Sequence, residues 1–285
     1  MQTPQPPAPG AAAPSGGAAY RLAGVARFLQ RRTAQTSAGF LLPHLRPGLR
    51  LLDGGCGPGT ITVGLAEAVA PGEVVGVDAE SVQVERGRAL AGERGRTNLR
   101  FRAGDVTALP FEEATFDVAF VSQVLQYLPD PAVALRELRR VLTPGGLLGV
   151  RDGDVSALRL APASDATRSF LRLFWRWREL GASPNYAPEQ GRLLREAGFV
   201  RRAAFADTEV IATPAETRSH AADVVELLRA RMWPEAVAQG WVGRETLDEL
   251  AAGLGAWGDD PDALWVSTQF AALGWTAEGR GVSVT

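Results

Sequence analysis

The chain has 285 residues and a formal net charge of −2, so it can bury a sizeable core and its charge gives no reason to expect a nucleic-acid partner. Its 30 basic side chains other than histidine are all Arg, which excludes a Schiff-base lysine and a phosphate-loop lysine. The single cysteine, Cys56, excludes an intrachain disulfide, and with only two histidines we expect no metal site.

Residues 1–18 are mostly Pro, Ala, Gly, Ser and Gln, and this composition predicts a disordered tail. Residues 19–45 carry apolar side chains at helical spacing and predict N-terminal helices that end near Pro43. Nothing resembles a signal peptide or an apolar run long enough to cross a membrane. We therefore expect a soluble, cytoplasmic protein with no membrane partner.

Strands and helices alternate between residues 46 and 212. The predicted strands are 49–53, 74–78, 98–101, 116–121, 147–150 and 199–209, and the predicted helices are 60–70, 82–91, 131–142, 164–180 and 188–197. Strands rich in Val and Leu that alternate with helices predict an α/β fold, in which a parallel sheet has helices on both faces.

The C-terminal part of the chain is less regular. Residues 213–258 predict two or three helices, and the alternating apolar pattern within residues 259–285 predicts a last strand at 262–274. The helices between the sixth and the last strand would then form a cap beside the sheet.

A glycine-rich loop, Leu-Leu-Asp-Gly-Gly-Cys-Gly-Pro-Gly-Thr at residues 51–60, follows the first predicted strand. Glycines here let the backbone pass under a ligand at the carboxyl ends of the strands. A dinucleotide loop requires Gly-x-Gly-x-x-Gly, but after Gly55 and Gly57 the third glycine, Gly59, comes one place too early. Asp53 would also repel a pyrophosphate, whereas it suits an amino acid with a cationic sulfonium.

Two further acids follow the second and third predicted strands. Asp78 lies roughly 20 residues after the loop, where a carboxylate can accept the hydroxyls of a ribose. Asp105 can accept an adenine amino group. Either acid alone could be a helix cap or a turn former, but three acids at neighbouring strand ends predict one continuous nucleoside site.

These motifs carry a family resemblance. The sequence resembles class I S-adenosylmethionine (SAM)-dependent methyltransferases in five segments. They are the glycine-rich loop, Val-Asp at 77–78, Gly-Asp at 104–105, Leu-Gln-Tyr-Leu-Pro-Asp-Pro at 125–131 and Leu-Thr-Pro-Gly-Gly at 142–146. The likeness is to the ubiquinone/menaquinone-biosynthesis (methyltransferase type 11) branch and its bacterial natural-product relatives, and it covers residues 20–199 most strongly. Gly54 departs from the usual Val, Ile or Leu, and Ser122, Gln123 and Tyr127 stand where relatives often carry His.

The resemblance implies a Rossmann-like seven-stranded sheet of six parallel strands and one antiparallel strand, with an N-terminal helical lid and the cap inserted before the last strand. It implies SAM as the cofactor and S-adenosylhomocysteine as its product. The residues expected to bind SAM, by motif, are Arg32, Asp53, Gly54, Gly55, Gly57, Asp78, Ala79, Gln83, Gly104, Asp105, Val106, Ser122 and Gln123.

Methyl transfer needs little catalytic machinery beyond alignment and the exclusion of water, and no compelling catalytic motif is present. The candidate catalytic residues are Tyr20 in the lid, Asp152 and Asp154 just after the fifth strand, and His44. The two aspartates could equally lie in a solvated turn, and packing is the more common role for a histidine such as His44.

The candidate substrate residues are Tyr20, Gln126, Tyr127, Trp175, Tyr186 and Trp233. All seven tryptophans fall from Trp175 onward, which favours an aromatic acceptor, although core packing is the more common role for each of them. We expect C-methylation of an indole-type natural product, with O- or N-methylation of a phenol, quinol or amine as the alternative. An NAD-dependent oxidoreductase, a non-catalytic SAM-binding regulator and a macromolecular target are the competing interpretations. The expected partner is a small molecule, and the protein could be a monomer or a homodimer.

Overall fold

The fold was obtained as a computed structural model, which describes residues 31–180 and 186–278. Seven strands form one sheet in the order β3-β2-β1-β4-β5-β7-β6. They are β1 (Leu51–Gly54), β2 (Val74–Asp78), β3 (Leu99–Ala103), β4 (Phe116–Ser122), β5 (Leu142–Ala161), β6 (Arg201–Ile211) and β7 (Leu264–Trp275). Strand β7 runs antiparallel to both β5 and β6, and the other neighbours are parallel. The predicted arrangement of six parallel strands and one antiparallel strand is confirmed.

Helices cover both faces of this sheet. The α-helices are α1 (Ala34–Ala38), α2 (Thr60–Val69), α3 (Ser81–Glu93), α4 (Pro131–Val141), α5 (Asp165–Glu179), α6 (Tyr186–Glu196), α7 (Pro214–Leu227), α8 (Trp233–Ala238) and α9 (Arg244–Asp259), and short 3₁₀ turns lie at Leu42–His44 and Leu125–Tyr127. Local sequence sets several helix starts. Asp130 accepts a hydrogen bond from the backbone N–H of Ala132, and Pro131 occupies the first turn of α4.

Alternating side chains of the strands divide the sheet core into two clusters. Leu52 and Val121 pack on one face with α4 and α6, whereas Leu51 and Phe120 pack on the other face with α1, α2 and α3. Successive side chains of a strand point to opposite faces, so a strand buried on both sides is apolar at nearly every position. This explains the short, almost unbroken Val and Leu runs of the sequence.

Strand β5 is much longer than the predicted strand at 147–150. It pairs with β7 from Leu147 opposite Trp275 to Ala161 opposite Leu264, with an irregularity between Asp154 and Arg159. Asp152 and Asp154 therefore lie inside a strand, are buried, and are not in the solvated turn that the sequence allowed.

A third apolar cluster lies beside the extended part of β5. Its members come from β5, α5, α7, α8 and α9, and include Leu160, Phe170, Ala221, Trp233, Leu254 and Trp257. Helix α5 thus packs with the helices between β6 and β7, and the sequence did not group these elements together.

The predicted N-terminal helices are described only from residue 31. There the chain forms the short helix α1, capped by Thr33, and the 3₁₀ turn that contains His44. The predicted tail, residues 1–18, and most of the predicted lid lie outside the described residues. Among the helices of residues 31–180 and 186–278, none combines the length and the apolar character needed to span a membrane.

Candidate functional site

The glycine loop after β1 is held by the end of β2. The backbone N–H groups of Gly55 and Cys56 donate to the carbonyl oxygen of Val77 at 2.7 and 3.0 Å. Gly55 and Gly57 have φ angles of 70° and 55°, which favour glycine. A Cβ added to Gly55 would lie 2.2 Å from a methyl group of Val124, whereas one added to Gly57 would meet nothing within 4 Å. The loop therefore packs tightly at Gly55 and leaves an open side at Gly57.

Asp78 ties this loop to the end of β2. One of its carboxylate oxygens accepts a hydrogen bond from the backbone N–H of Gly57 at 2.8 Å, and the other accepts one from Glu80 at 2.9 Å. Burial raises the pKa of Asp78, and these two hydrogen bonds oppose that rise. The carboxylate is thus fixed in orientation beside the open side of the loop.

Gln83 lies in the first turn of α3, shortly after Asp78. Its side chain is fully buried, and neither its Nε2 nor its Oε1 atom has a hydrogen-bond partner. A buried amide without partners costs free energy, so this side chain is suited to meet a polar ligand. Ala79, between the two, is exposed.

Asp105 lies after β3, next to the ends of β1 and β2. Its Oδ1 atom accepts hydrogen bonds from the backbone N–H and the hydroxyl of Thr107, at 2.8 and 2.7 Å. The following residue, Val106, is buried in the sheet core, and Gly104 approaches Val77 so closely that an added Cβ would lie 3.1 Å from it. Asp105 is the exposed member of the three strand-end acids.

Gly54 has a packing role that the sequence did not indicate. An added Cβ would lie 3.1 Å from Val121 and 3.2 Å from Val106. Gly54 is also buried inside β1. The residue that departs from the family pattern therefore allows close contact between strands, and its predicted contact with SAM depends on its backbone.

Asp53 and Arg32 interact electrostatically near the ends of β1 and β4. Asp53 is buried and accepts a hydrogen bond from the Thr62 hydroxyl at 2.7 Å. Burial raises its pKa to about 7, while Thr62 and the positive charge of Arg32 oppose the rise. The Arg32 guanidinium donates to the Ser122 hydroxyl, and burial, with Arg151 nearby, lowers its pKa to about 10.

Asp152 is fully buried within β5. Its Oδ1 atom accepts a hydrogen bond from the backbone N–H of Val124 at 3.0 Å, and its Oδ2 atom has no partner. Burial raises the pKa of Asp152 to about 7. The backbone N–H groups of Val124 and Gln126 oppose the rise, and the positive charges of Arg32 and Arg178 oppose it further. A carboxyl group with a free oxygen and a pKa near neutrality can take up or release a proton.

Three glutamine side chains form a chain of amides beside Asp152. Gln123 donates to Gln269 at 2.6 Å, and Gln126 donates to Gln123. Gln123 has a φ of 59°, a left-handed conformation that is strained for a residue with a side chain. The structure thus brings the predicted residues Ser122, Gln123 and Gln126 together at the end of β4, and adds Gln269, which the sequence analysis missed.

Two further residues were not predicted from the sequence, Arg178 and, described with Tyr186 below, Gln190. Arg178 is only 5% exposed, its Nε and Nη2 atoms have no partner, and its guanidinium carbon lies 4.4 Å from the ring centroid of Tyr127. Arg178 follows Phe170 and Phe174 at a spacing of four residues, which was a signal that it lies on the buried stripe of α5.

Tyr186, predicted to contact substrate, lies at the start of α6. Its ring is buried and its hydroxyl has no partner. Burial, and secondarily the charge of Asp152, raises the pKa of Tyr186. Gln190, one turn later, donates to the carbonyl oxygen of Phe270 at 3.3 Å, and its Oε1 atom has no partner.

Of the other two predicted catalytic residues that the structure describes, His44 lies away from this place, whereas Asp154 lies two residues beyond Asp152 on β5. His44 is exposed, and its ring contacts Trp275, which pairs with Leu147 at the opposite end of the sheet, so its predicted catalytic role does not fit the fold. The Oδ1 atom of Asp154 accepts hydrogen bonds from the backbone N–H and the hydroxyl of Ser156, at 2.8 and 2.6 Å.

The two tryptophans predicted to contact substrate lie in other surroundings, and the indole Nε1 atom of Trp233 has no hydrogen-bond partner. Trp175 donates to Glu179 at 2.9 Å, and Trp233 is buried in the third apolar cluster. Tyr20 lies outside the described residues. Within residues 31–180 and 186–278, no group of three His, Cys, Asp or Glu side chains is arranged to hold a metal ion.

Comparison with known proteins finds similarity over part of the chain. Residues 45–180 match the family model for a methyltransferase domain. The chain is 39% identical over 132 residues to a "Probable methyltransferase ltbC" from Aspergillus luteorubrus, which covers 43% of this chain and 46% of the relative. It is 41% identical over 100 residues to a demethylmenaquinone methyltransferase from Lactococcus lactis. This match covers 35% of this chain and 40% of the relative.

The chain spans about half the length of the curated relatives it matches. The crystal structure of the YcgJ protein from Bacillus subtilis aligns with 86% of this chain and 100% of its own, with a TM-score of 0.58 and 20% sequence identity. This likeness shows the fold alone, a Rossmann-like sheet.

Proposed function

From the methyltransferase domain in residues 45–180, we propose that the chain is a SAM-dependent methyltransferase that acts on a small molecule. One observation carries the proposal. Asp53, Asp78 and Asp105 stand at three neighbouring strand ends around a glycine loop whose open side is at Gly57. Carboxylates in these places suit an amino acid, a ribose and an adenine, and they oppose a pyrophosphate.

The described residues fit SAM. Asp53 and Arg32 offer opposite charges to an amino-acid group, and Asp78 offers a fixed, buried carboxylate to a ribose. The unpaired amide of Gln83 offers both a donor and an acceptor in a place closed to water. Gly55 and Gly57 keep the loop free of side chains. The other members of the predicted set are Gly54, Ala79, Gly104, Asp105, Val106, Ser122 and Gln123.

When bound, SAM supplies an electrophilic methyl group, whose bond to sulfur breaks with the electron pair left on sulfur as the acceptor attacks. The chain's part is to hold the acceptor in line, exclude water and accept a proton where the acceptor is a hydroxyl or an ammonium. The Oδ2 atom of Asp152 is the group that accepts this proton. The other carboxylate oxygen, Oδ1, accepts a hydrogen bond from the backbone N–H of Val124, and this bond fixes the orientation of Oδ2.

The contacts of the tryptophans and of Asp152 bear on the acceptor. Trp233 and Trp257 are members of the third apolar cluster, and Trp177, Trp241 and Trp265 pack against it, so packing accounts for much of the tryptophan content that favoured an indole. By contrast, Asp152, Gln123 and Tyr186 offer polar groups. These contacts support O- or N-methylation of a phenol, quinol or amine ahead of C-methylation of an indole.

Mass spectrometry of reaction mixtures tests the proposal. The full chain is incubated with SAM and a panel of phenols, quinols, aromatic amines, indoles and tryptophan diketopiperazines. We expect one acceptor class to gain a single methyl group while S-adenosylhomocysteine forms in equal amount. A chain that binds SAM yet methylates none of these classes would favour a SAM-binding regulator, and preferential binding of NAD would favour an oxidoreductase.

A further inference from the structure

Four buried side chains near the end of β4 carry polar atoms without hydrogen-bond partners. These atoms are Asp152 Oδ2, Arg178 Nε and Nη2, Tyr186 Oη and Gln190 Oε1. Each of the four side chains is at most 5% exposed. Native interiors leave few such atoms unpaired, because each one costs the full loss of its hydration. Their concentration in one place indicates a ligand with several polar groups.

Of the four side chains, Arg178 is the most costly to bury without a partner. Among the described residues no ion pair includes its guanidinium, although an unpaired charge is costly to bury. Asp152 is close enough for the two charges to interact, but the two side chains form no ion pair. A guanidinium with two free N–H groups matches the two oxygens of a carboxylate.

The contacts of Arg178 fix its position before any ligand binds. Its guanidinium lies over the ring of Tyr127, a residue that is 50% exposed. Stacking on an aromatic face suits a planar guanidinium and leaves its in-plane N–H groups available. Arg178 is thus buried beside a ring that itself reaches solvent, as expected for a site that admits a small molecule.

We propose that Arg178 binds a carboxylate group of the methyl acceptor, while Asp152 and Tyr186 contact its hydroxyl or amino group. The acceptor class is then a hydroxy- or amino-substituted aromatic carboxylic acid. The inference rests on the proposed function and narrows it. Arg178 belongs to α5 and Asp152 belongs to β5. Because the cation and the carboxyl group lie on different elements, the site can distinguish the two ends of such a methyl acceptor.

Matched pairs of probes test this binding site. Each pair shares a ring and differs in one carboxylate: 4-hydroxybenzoate with phenol, 3,4-dihydroxybenzoate with catechol, and anthranilate with aniline. Their affinities for the full chain are measured by calorimetry with S-adenosylhomocysteine present. We expect the carboxylate member of at least one pair to bind about tenfold more tightly or better, because a charge-assisted pair is gained.

Variants of Arg178 separate this role from packing. In Arg178→Met the preference for the carboxylate member should disappear, and in Arg178→Lys part of it should remain. Arg172→Met is the matched control, because Arg172 is an exposed arginine of the same helix that donates to Ser169. Tyr186→Phe, which removes only a hydroxyl, should weaken both members of a pair equally, and it provides a test if Arg178→Met does not fold.

Equal affinity of both members in every pair would overturn the inference. So would an unchanged preference in Arg178→Met, or no binding of any probe at millimolar concentration. Binding of S-adenosylhomocysteine, measured in the same preparations, keeps the two proposals apart. If it binds and the carboxylate preference is absent, only the acceptor class is wrong; if it does not bind, the proposed function itself fails.

Discussion

The carboxylate of Asp78 accepts a hydrogen bond from the backbone N–H of Gly57, with 2.8 Å between the two atoms. This bond joins the end of β2 to the loop after β1, across 21 residues of sequence. The acid proposed to hold the ribose therefore also holds the loop proposed to pass under the methionine part of SAM. Replacing either residue should therefore alter the position of the other.

Replacing Asp78 should weaken the binding of SAM. In Asp78→Ala the ribose hydroxyls lose a charged acceptor and the loop loses a hydrogen bond, so we expect the dissociation constant to rise about tenfold or more. Calorimetry with SAM measures this. Glu85→Gln, which changes an exposed acid in α3, should leave the affinity unaltered. Wild-type affinity in Asp78→Ala would mean that the ribose binds elsewhere.

Two glycine substitutions distinguish backbone strain from ligand contact. Gly57 and Gly48 both have a positive φ, and a Cβ at either would meet nothing within 4 Å. Alanine at each position should therefore lower the free energy of unfolding by a similar amount, about 1 kcal/mol. Only Gly57→Ala should also weaken SAM binding, because its Cβ would enter the proposed site. Equal SAM affinity in the two variants would argue against a cofactor at Gly57.

The raised pKa of Asp152 should appear as a pH dependence of stability. Its pKa is about 7 in the folded chain and 3.8 when unperturbed, so the folded state binds a proton more tightly than the unfolded state. This carboxyl therefore contributes stability at low pH that is lost as the pH rises from about 4 to about 7.

Asp152→Asn should flatten that part of the profile, by a difference on the order of 1 kcal/mol or more. Chemical denaturation at a series of pH values measures the effect. Asp262→Asn, at an exposed site, is the matched control. An unchanged slope in Asp152→Asn would show that this carboxyl does not titrate near neutrality.

His220 should change the stability of the fold with pH in the opposite direction. Burial lowers its pKa to about 4, Asp223 opposes this effect, and Arg31 adds to it. The unfolded chain therefore takes up a proton below pH 6.5 that the folded chain does not, so stability is lost as the pH falls from about 6.5 to about 4. His220→Phe, which keeps a ring against Trp265, should lose less stability over that range. His44→Gln, at the other histidine, serves as the control, and equal losses in wild type and His220→Phe would contradict the burial argument.

Much of the fold could be predicted because the informative signals are local. The apolar strands, the glycine loop and the acids at the strand ends all occupy short stretches of sequence, and the likeness to known methyltransferases supplied the antiparallel last strand. The length of β5 could not be predicted, because it depends on pairing with β7, more than a hundred residues later. Asp152 was accordingly expected just after the fifth strand and lies inside it.

The acceptor side of the site was harder to predict than the cofactor side. Arg178 lies on the buried stripe of an aromatic helix, and a charged residue there is assigned to solvent unless the packing is known. The tryptophans pointed toward an aromatic ligand, yet Trp233 and Trp257 belong to an apolar cluster. In both cases tertiary packing, which composition does not reveal, decides the role of the side chain.

Isothermal titration of the full chain with SAM, S-adenosylhomocysteine and NAD tests the central claim most directly. We predict that SAM and S-adenosylhomocysteine bind to one site per chain, that NAD does not bind, and that Asp78→Ala weakens both of the sulfur compounds. No binding of SAM by the folded wild-type chain would contradict the account, as would binding of NAD in its place.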